Sequence, residues 1–306
     1  MKKWTLFLSL YFCVCLLAAC GAGASSAGSS ADLPPEQAGN AGPTGGESTD
    51  VTTTVCRIVD GAESGELLLA ERDGGGIYRL HAADVGQITI NGGSGSVEEM
   101  GNGMMVQVVH DGTVLETWPA QFANVKALYP AVKDEEDGAY DFDDRCALYL
   151  QVLEDLWTVD PGLNSGGLTY IGVDLSQTSL PESERAAVAW AFAEKHGAEL
   201  VEGTYDELVE QGYITGEPLD GDAPEGAKFW QWTDGCLFSI EESDEPVVFS
   251  LPNIAPGEKP PAYDAVRFDA EKWRSGLGAY YFTDCTAVRG ADGHWGGYTV
   301  GSEAIS

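Results

Sequence analysis

The sequence predicts a mainly β fold joined to an α+β region, and three observations carry that expectation. Between Val51 and Val132, short β-branched or apolar runs are separated by Asp73-Gly74-Gly75-Gly76, Asn91-Gly92-Gly93 and Asp111-Gly112, with no 3.6-residue period. From Asp144 onward, amphipathic helical patterns come first and strand patterns later, which is an α+β order. The two textures meet at the acidic run Asp134–Asp144, in which seven of eleven residues are Asp or Glu.

The strand runs of the first region are Thr52–Val59, Leu67–Glu71, Ile77–Leu80, Gln87–Ile90, Met104–Val109, Val114–Trp118 and Val125–Leu128. Such short strands predict a small sandwich or barrel. A tight hairpin is expected at His110-Asp111-Gly112-Thr113, where Asp-Gly supplies the turn. In the second region Arg145–Val159 presents a wide apolar helical face with Asp144 as N-cap. Leu168–Leu175 alternates as a strand. Ser179-Leu180-Pro181-Glu182 has capping-box spacing for a helix ending at Gly197, and Thr204–Glu207 repeats the pattern for a short helix ending at Gly212. Phe229–Ile240, Val247–Leu251, Gly278–Val288 and Trp295–Val300 read as strands of an antiparallel sheet, the last two as a terminal hairpin.

The N-terminus carries the clearest motif. Lys2 and Lys3 precede the apolar run Trp4–Leu17, followed by Leu17-Ala18-Ala19-Cys20-Gly21. The run is shorter than an ordinary membrane span. This resembles a bacterial lipoprotein signal peptide with its lipobox. The resemblance implies cleavage after residue 19, lipidation (palmitate included) of Cys20, and attachment to the outer face of the cell membrane. In the 30 residues from Gly21 to Asp50, 21 are Gly, Ala, Ser or Pro and none is aromatic, which reads as a flexible tether. The expected organisation is a signal peptide (1–19), lipidated Cys and tether (20–50), a β domain (51–133), an acidic linker (134–143) and an α+β domain (144–306).

The segment Val114-Leu115-Glu116-Thr117-Trp118-Pro119-Ala120 resembles the last strand region of small OB-like domains in lipoproteins of Gram-positive bacteria. This implies a five-stranded OB-like β-barrel for the first domain and carries no activity with it. FWQWTDGCLFSI (229–240) and KWRSGLGAYYFTDCTA (272–287) are similar to tracts in uncharacterised two-domain extracytoplasmic proteins of gut-dwelling Gram-positive (Firmicutes-type) bacteria.

The formal net charge of −33 argues against nucleic acid as a partner, because phosphates are repelled. Five basic residues face 14 acidic ones between Val51 and Tyr140, and nine face 31 from Asp141 onward, so most of the acidity belongs to the second region. The run Asp134–Asp144 reads as a solvated linker. Calcium is the alternative, but the spacing does not match an EF-hand, and neither metal nor cofactor is expected.

No catalytic signature is present: H-E-x-x-H, G-x-S-x-G, a P-loop and G-x-G-x-x-G are all missing. With 49 acidic residues, paired carboxylates discriminate nothing. Cys56, Cys146, Cys236 and Cys285 permit three pairings. They read as separate buried thiols, with Cys236–Cys285 the favoured pair if a disulfide forms. A Cys285/His294 dyad fails on distance: with Arg289 opposite His294, the two lie roughly 13 Å apart along the strands. Trp157 and Trp190 are expected in the core. Trp230 and Trp232 share one strand face and, with Lys272, Arg274 and nearby Tyr280 and Tyr281, form the candidate ligand-binding patch; the alternative is that this face packs on the helices. The expected function is non-enzymatic binding of a wall glycan, solute or protein partner at the cell envelope. The alternative is a carboxylate-dependent hydrolase of wall polymers.

Overall fold

The computed structural model describes residues 51–133, 138–219, 223–245, 247, 264–290 and 292–306. The signal peptide, Cys20 and the tether lie outside the described residues, as do 134–137 of the acidic run and nearly all of the strand and loop expected between Val247 and Ala265. The fold is mainly β with an α+β half, as the sequence predicts.

The first sheet has seven of the strands β1 (Thr52–Asp60), β2 (Glu66–Glu71), β3 (Ile77–His81), β4 (Thr89–Ile90), β5 (Gly93–Ser94), β6 (Met105–His110), β7 (Val114–Leu115), β8 (Ala120–Phe122) and β9 (Ala127–Pro130). Its order is β7-β8-β3-β2-β1-β6-β9, with β4 and β5 as a separate pair and the one-turn helix α1 (Val97–Met100) between β5 and β6. The order runs from edge to edge, so no closed barrel forms among the described residues. The hairpin expected at Asp111-Gly112 is also replaced. Both sides of β6 are taken by β1 and β9, so β7 pairs with β8 instead. Asp111 still organises the turn: its carboxylate accepts from Thr113 N (2.9 Å) and Asn124 Nδ2 (2.8 Å).

The apolar run on β2 explains how this sheet is used. Leu67 and Leu69 pack with Ile58, Val106, Val108 and Leu128 on one face. Leu68 and Ala70 point to the other and join the helices. Side chains alternate across a strand, so a continuous apolar run marks a strand covered on both faces.

The helices α2 (Arg145–Thr158) and α3 (Glu182–Lys195) form the layer that fills both roles. Their apolar residues share one core with Val59, Leu68, Ala70 and Ile77 of the first sheet and with Ile171, Phe238, Phe268 and Phe282 of the second. Alanines 186, 187, 189 and 193 are buried on α3, which lets it sit between two layers. Ser48–Ser306 accordingly forms one compact unit.

The second sheet contains β10 (Tyr170–Gln177), β11 (Glu199–Glu202), β12 (Thr215–Pro218), β13 (Lys228–Gln231), β14 (Gly235–Glu242), β15 (Ala265–Ser275), β16 (Gly278–Arg289), β17 (Trp295–Thr299) and β18 (Ser302–Ile305). It is antiparallel from β14 onward, but β10 pairs parallel to both β11 and β14. The sheet is therefore mixed rather than wholly antiparallel, because β10-α3-β11 is a crossover unit. The short helix α4 (Tyr205–Gln211) has the predicted capping box between Thr204 and Glu207 and the predicted αL Gly212. The other two predicted caps differ. Ser179 gives its hydroxyl to Glu242 (2.9 Å) and leaves Pro181 as the N-cap of α3. Asp144 bonds Trp295 N and His294 Nδ1 (both 2.9 Å) rather than the start of α2.

The described part of the acidic run is docked rather than solvated. Asp141 lies 3.8 Å from Arg57, and Asp143 accepts from Trp295 Nε1 at 2.8 Å. Beside it lies a buried ion pair: Arg57 Nε donates to Glu184 Oε1 at 2.7 Å and Arg57 Nη1 to Gly103 O at 2.8 Å. This pair ties β1 to α3.

Candidate binding groove

The predicted patch at Trp230, Trp232, Lys272 and Arg274 is largely interior. Trp232 is fully buried among Val201, Leu208, Ile214, Leu237 and Trp273. Two glycines make room for it. A methyl on Gly172 of β10 would lie 2.7 Å from Trp232 Cζ3, and one on Gly235 of β14 would collide with the indole outright. Trp230 is half-buried against the same cluster, with Lys228 Nζ 5.2 Å from its ring centroid. The aromatic face expected to hold a ligand is thus largely absorbed into packing, as in the alternative that it packs inward.

The two cations are absorbed as well. Lys272 is fully buried. Its ammonium donates to Val159 O, to Asp160 O (3.2 Å) and to Asn164 Oδ1 (3.0 Å), which fasten the chain leaving α2. Burial lowers its pKa. Arg274, two residues on and therefore on the same face, donates to Leu163 O (2.8 Å), Ser165 O (2.9 Å) and Thr233 O (2.9 Å). Their partners are backbone carbonyls and an amide, not the many carboxylates. Tyr280 and Tyr281 sit on β16, and Tyr280 OH donates to Glu303 Oε2.

Cys236 and Cys285 are both free and buried, as are Cys56 and Cys146. Cys285 lies opposite Phe268, whereas Leu237, next to Cys236, lies opposite Trp273. Those positions are about 16–20 Å apart along β15, too far for a disulfide. Burial pushes both thiols up to about 12. The expected separation of Cys285 from His294 has a different register: Arg289 pairs with Trp295, and His294 turns to Asp144.

The open surface lies elsewhere, around Trp190 on α3. A cleft of about 530 Å³ separates the turn after β1 and the strands β2 and β3 from α2 and α3. Arg79, Asn102, Gln151, Glu154, Trp190 and Glu194 are among its lining residues. A second cavity of about 440 Å³ lies between the β7–β8 loop and the α3–β11 turn, lined by Trp118, Trp190, Glu194, Glu199, Leu200 and Glu202. Trp190 and Glu194 belong to both, so the two open on one shared wall. Trp157 and Trp190, both expected in the core, are both half-buried and pack against the same core cluster; Trp157 also stacks on His196 at 3.7 Å, and Trp190 also lines the two cavities. Trp118 is 62% exposed.

The charges in this groove are used unevenly. Glu154 is occupied by Lys195 Nζ (3.0 Å) and His196 Nε2 (3.1 Å). The guanidinium of Arg79 lies 5.6 Å from the Trp190 ring centroid, a cation–π distance. Glu194, Glu199 and Glu202 form no ion pair among the described residues. Desolvation, then the nearby Glu182, raises the pKa of Glu202. Among the described residues no cluster of three or more His, Cys, Asp or Glu is placed to hold a metal. No helix among them is long and apolar enough to cross a membrane.

The sequence places Trp118 in a strand-like segment and Trp190 in the core, and no sequence pattern marks Arg79 or the three glutamates as site residues. One signal was present: Trp118 is the only tryptophan between residues 51 and 156, and the Pro that follows it ends strand character.

No family model, curated protein or solved structure matches this chain.

Proposed function

We propose that the protein is a lipid-anchored, extracytoplasmic binding protein that holds its ligand in the groove on either side of Trp190. Cys20 is the attachment point, the Gly/Ala/Ser/Pro tether spaces the folded unit from the bilayer, and the acidic surface keeps it soluble beside an anionic envelope. The observation that supports the binding role is the meeting of two cavities on one half-buried indole, with an exposed second indole at the far side. Concave sites with aromatic walls and a few polar groups are the usual form of a small-ligand site. Wall glycans and small solutes suit such a groove better than a flat protein partner.

Titration of the purified lipoprotein with soluble wall saccharides and envelope solutes, followed by thermal shift, tests this. A ligand present at 100 times its Kd stabilises the fold by about 2.7 kcal/mol. Trp190→Leu abolishes the shift on this reading. A shift that survives in Trp190→Leu contradicts it. The anchor is tested by Cys20→Ser, which releases the protein from the membrane fraction; unchanged sedimentation with membranes contradicts it.

A further inference from the structure

We infer that the cavity between Trp118 and Trp190 takes an organic cation, a compact ammonium group carried on an apolar skeleton. This deepens the binding role proposed above and rests on it. Two indoles wall the cavity, one of them, Trp118, 62% exposed to solvent. The charged groups that line this cavity are all of one sign. Glu194, Glu199 and Glu202 line the cavity, and no Lys, Arg or His does.

Indole faces attract cations through the ring quadrupole, and carboxylates at the rim complete the charge. A neutral sugar gains stacking from the same indoles but no Coulombic attraction from the three exposed carboxylates. An anion meets them directly. The Trp190 ring already carries one cation in the fold, Arg79, which lines the larger cleft and not this cavity. The raised pKa of Glu202 adds a consequence, since a bound cation favours the ionised carboxylate. The net charge of −33 steers a cation inward and makes the affinity fall with salt.

The test uses choline against 3,3-dimethylbutan-1-ol, its neutral counterpart of nearly the same shape, with the full-length lipoprotein in detergent. Indole fluorescence and calorimetry read the binding. Choline is expected to bind with a Kd in the range of about 0.1–10 mM, and the neutral alcohol at least about tenfold more weakly, since desolvated cation–π contacts are worth roughly that factor or more. Trp118→Ala and Glu199→Gln change surface positions, so their melting temperatures stay at the wild-type value while choline affinity falls about fivefold or more. Raising the salt weakens choline and leaves the alcohol unchanged. Equal affinity for choline and the alcohol overturns the cation assignment, as does wild-type choline affinity in both variants or no choline binding up to about 10 mM. The binding role of the groove falls separately, when saccharides and other solutes bind equally well to wild type and Trp190→Leu.

Discussion

Two tryptophan pairs in this molecule have opposite fates. Trp230 and Trp232 flank one residue at the end of β13, beside two cations, and by sequence they form the more conspicuous pair. Trp118 and Trp190 lie 72 residues apart, on a loop and on a helix that reads as core. Trp232 is fully buried and Trp118 is 62% exposed. Trp230 and Trp190 are both half-buried, Trp230 against the cluster around Trp232 and Trp190 on the shared wall of two cavities. The difference lies in what covers each face. Glycines 172 and 235 open a slot on the neighbouring strands that Trp232 fills. Among the described residues, the space between Trp118 and Trp190 is an open cavity of about 440 Å³. The cations follow the same division, with Lys272 spending its donors on carbonyls while Arg79 lies over an indole at the edge of the cleft.

The sharpest way to break this comparison is to truncate both pairs. Trp232→Ala should cost about 3–5 kcal/mol in urea unfolding, as for other large buried aromatics, while Trp118→Ala should stay within about 0.5 kcal/mol. Equal losses erase the distinction between the regions. The ion pair that holds the groove's two walls in one unit should be nearly as sensitive. Glu184→Ala takes the closest carboxylate from buried Arg57 and leaves it Asp141 at 3.8 Å and Gly103 O, at a cost of up to about 3 kcal/mol. A loss below about 1 kcal/mol, typical of a surface pair, contradicts its burial. Lys272→Met leaves two carbonyls and Asn164 without their donor and should cost about 2–3 kcal/mol. Arg79→Met, with no hydrogen bond of its own among the described residues, should cost under about 1 kcal/mol.

The smallest effect is a pH dependence. His110 is buried, accepts from Gly112 N at Nδ1 (3.2 Å) and so offers its proton at Nε2 to Thr54 Oγ1 (3.0 Å). Burial holds its pKa below the usual 6.5 despite Asp111. The unfolded chain then takes up the proton first as pH falls. The stability tied to neutral His110 is fully present above about pH 6.5 and is lost on acidification toward its lower folded pKa. The fall in melting temperature between pH 7 and pH 5 should be smaller in His110→Asn. An unchanged or steeper fall contradicts the neutral, buried assignment.

Much of the fold was legible because local patterns speak directly to it. The strands β1, β2, β3 and β6, the helix beginning at Arg145, and the Thr204–Glu207 capping box with Gly212 appear where the patterns put them, whereas Gln87–Ile90 and Val114–Trp118 shorten to two residues each, Val125–Leu128 shifts to Ala127–Pro130, and β8 (Ala120–Phe122) is unexpected. Pairing was harder, because which edge of β6 is free depends on β1 and β9 rather than on Asp111-Gly112. The longest omission is β15. Val266, Phe268, Ala270 and Lys272 all point inward with strict two-residue spacing, and Arg267, Asp269 and Glu271 alternate between them. The charged residues mask the period, and Lys272 occupies an inward position that hydropathy assigns to the surface. The groove was the least legible part. Its walls come from β1, β2, β3, the β7–β8 loop, α2, α3 and β11, and only the packing of both sheets on the helix layer brings them together.

The central claim is that ligand meets Trp118 and Trp190 and leaves Trp232 untouched. The most direct measurement is a nitrogen–proton spectrum of the protein labelled at its indole nitrogens, with each signal assigned by single substitution, during titration with choline and with soluble wall saccharides. The account predicts saturable shifts of the Trp118 and Trp190 indole signals while that of Trp232 stays fixed. Shifts at Trp230 and Trp232 with Trp118 and Trp190 unmoved would contradict it.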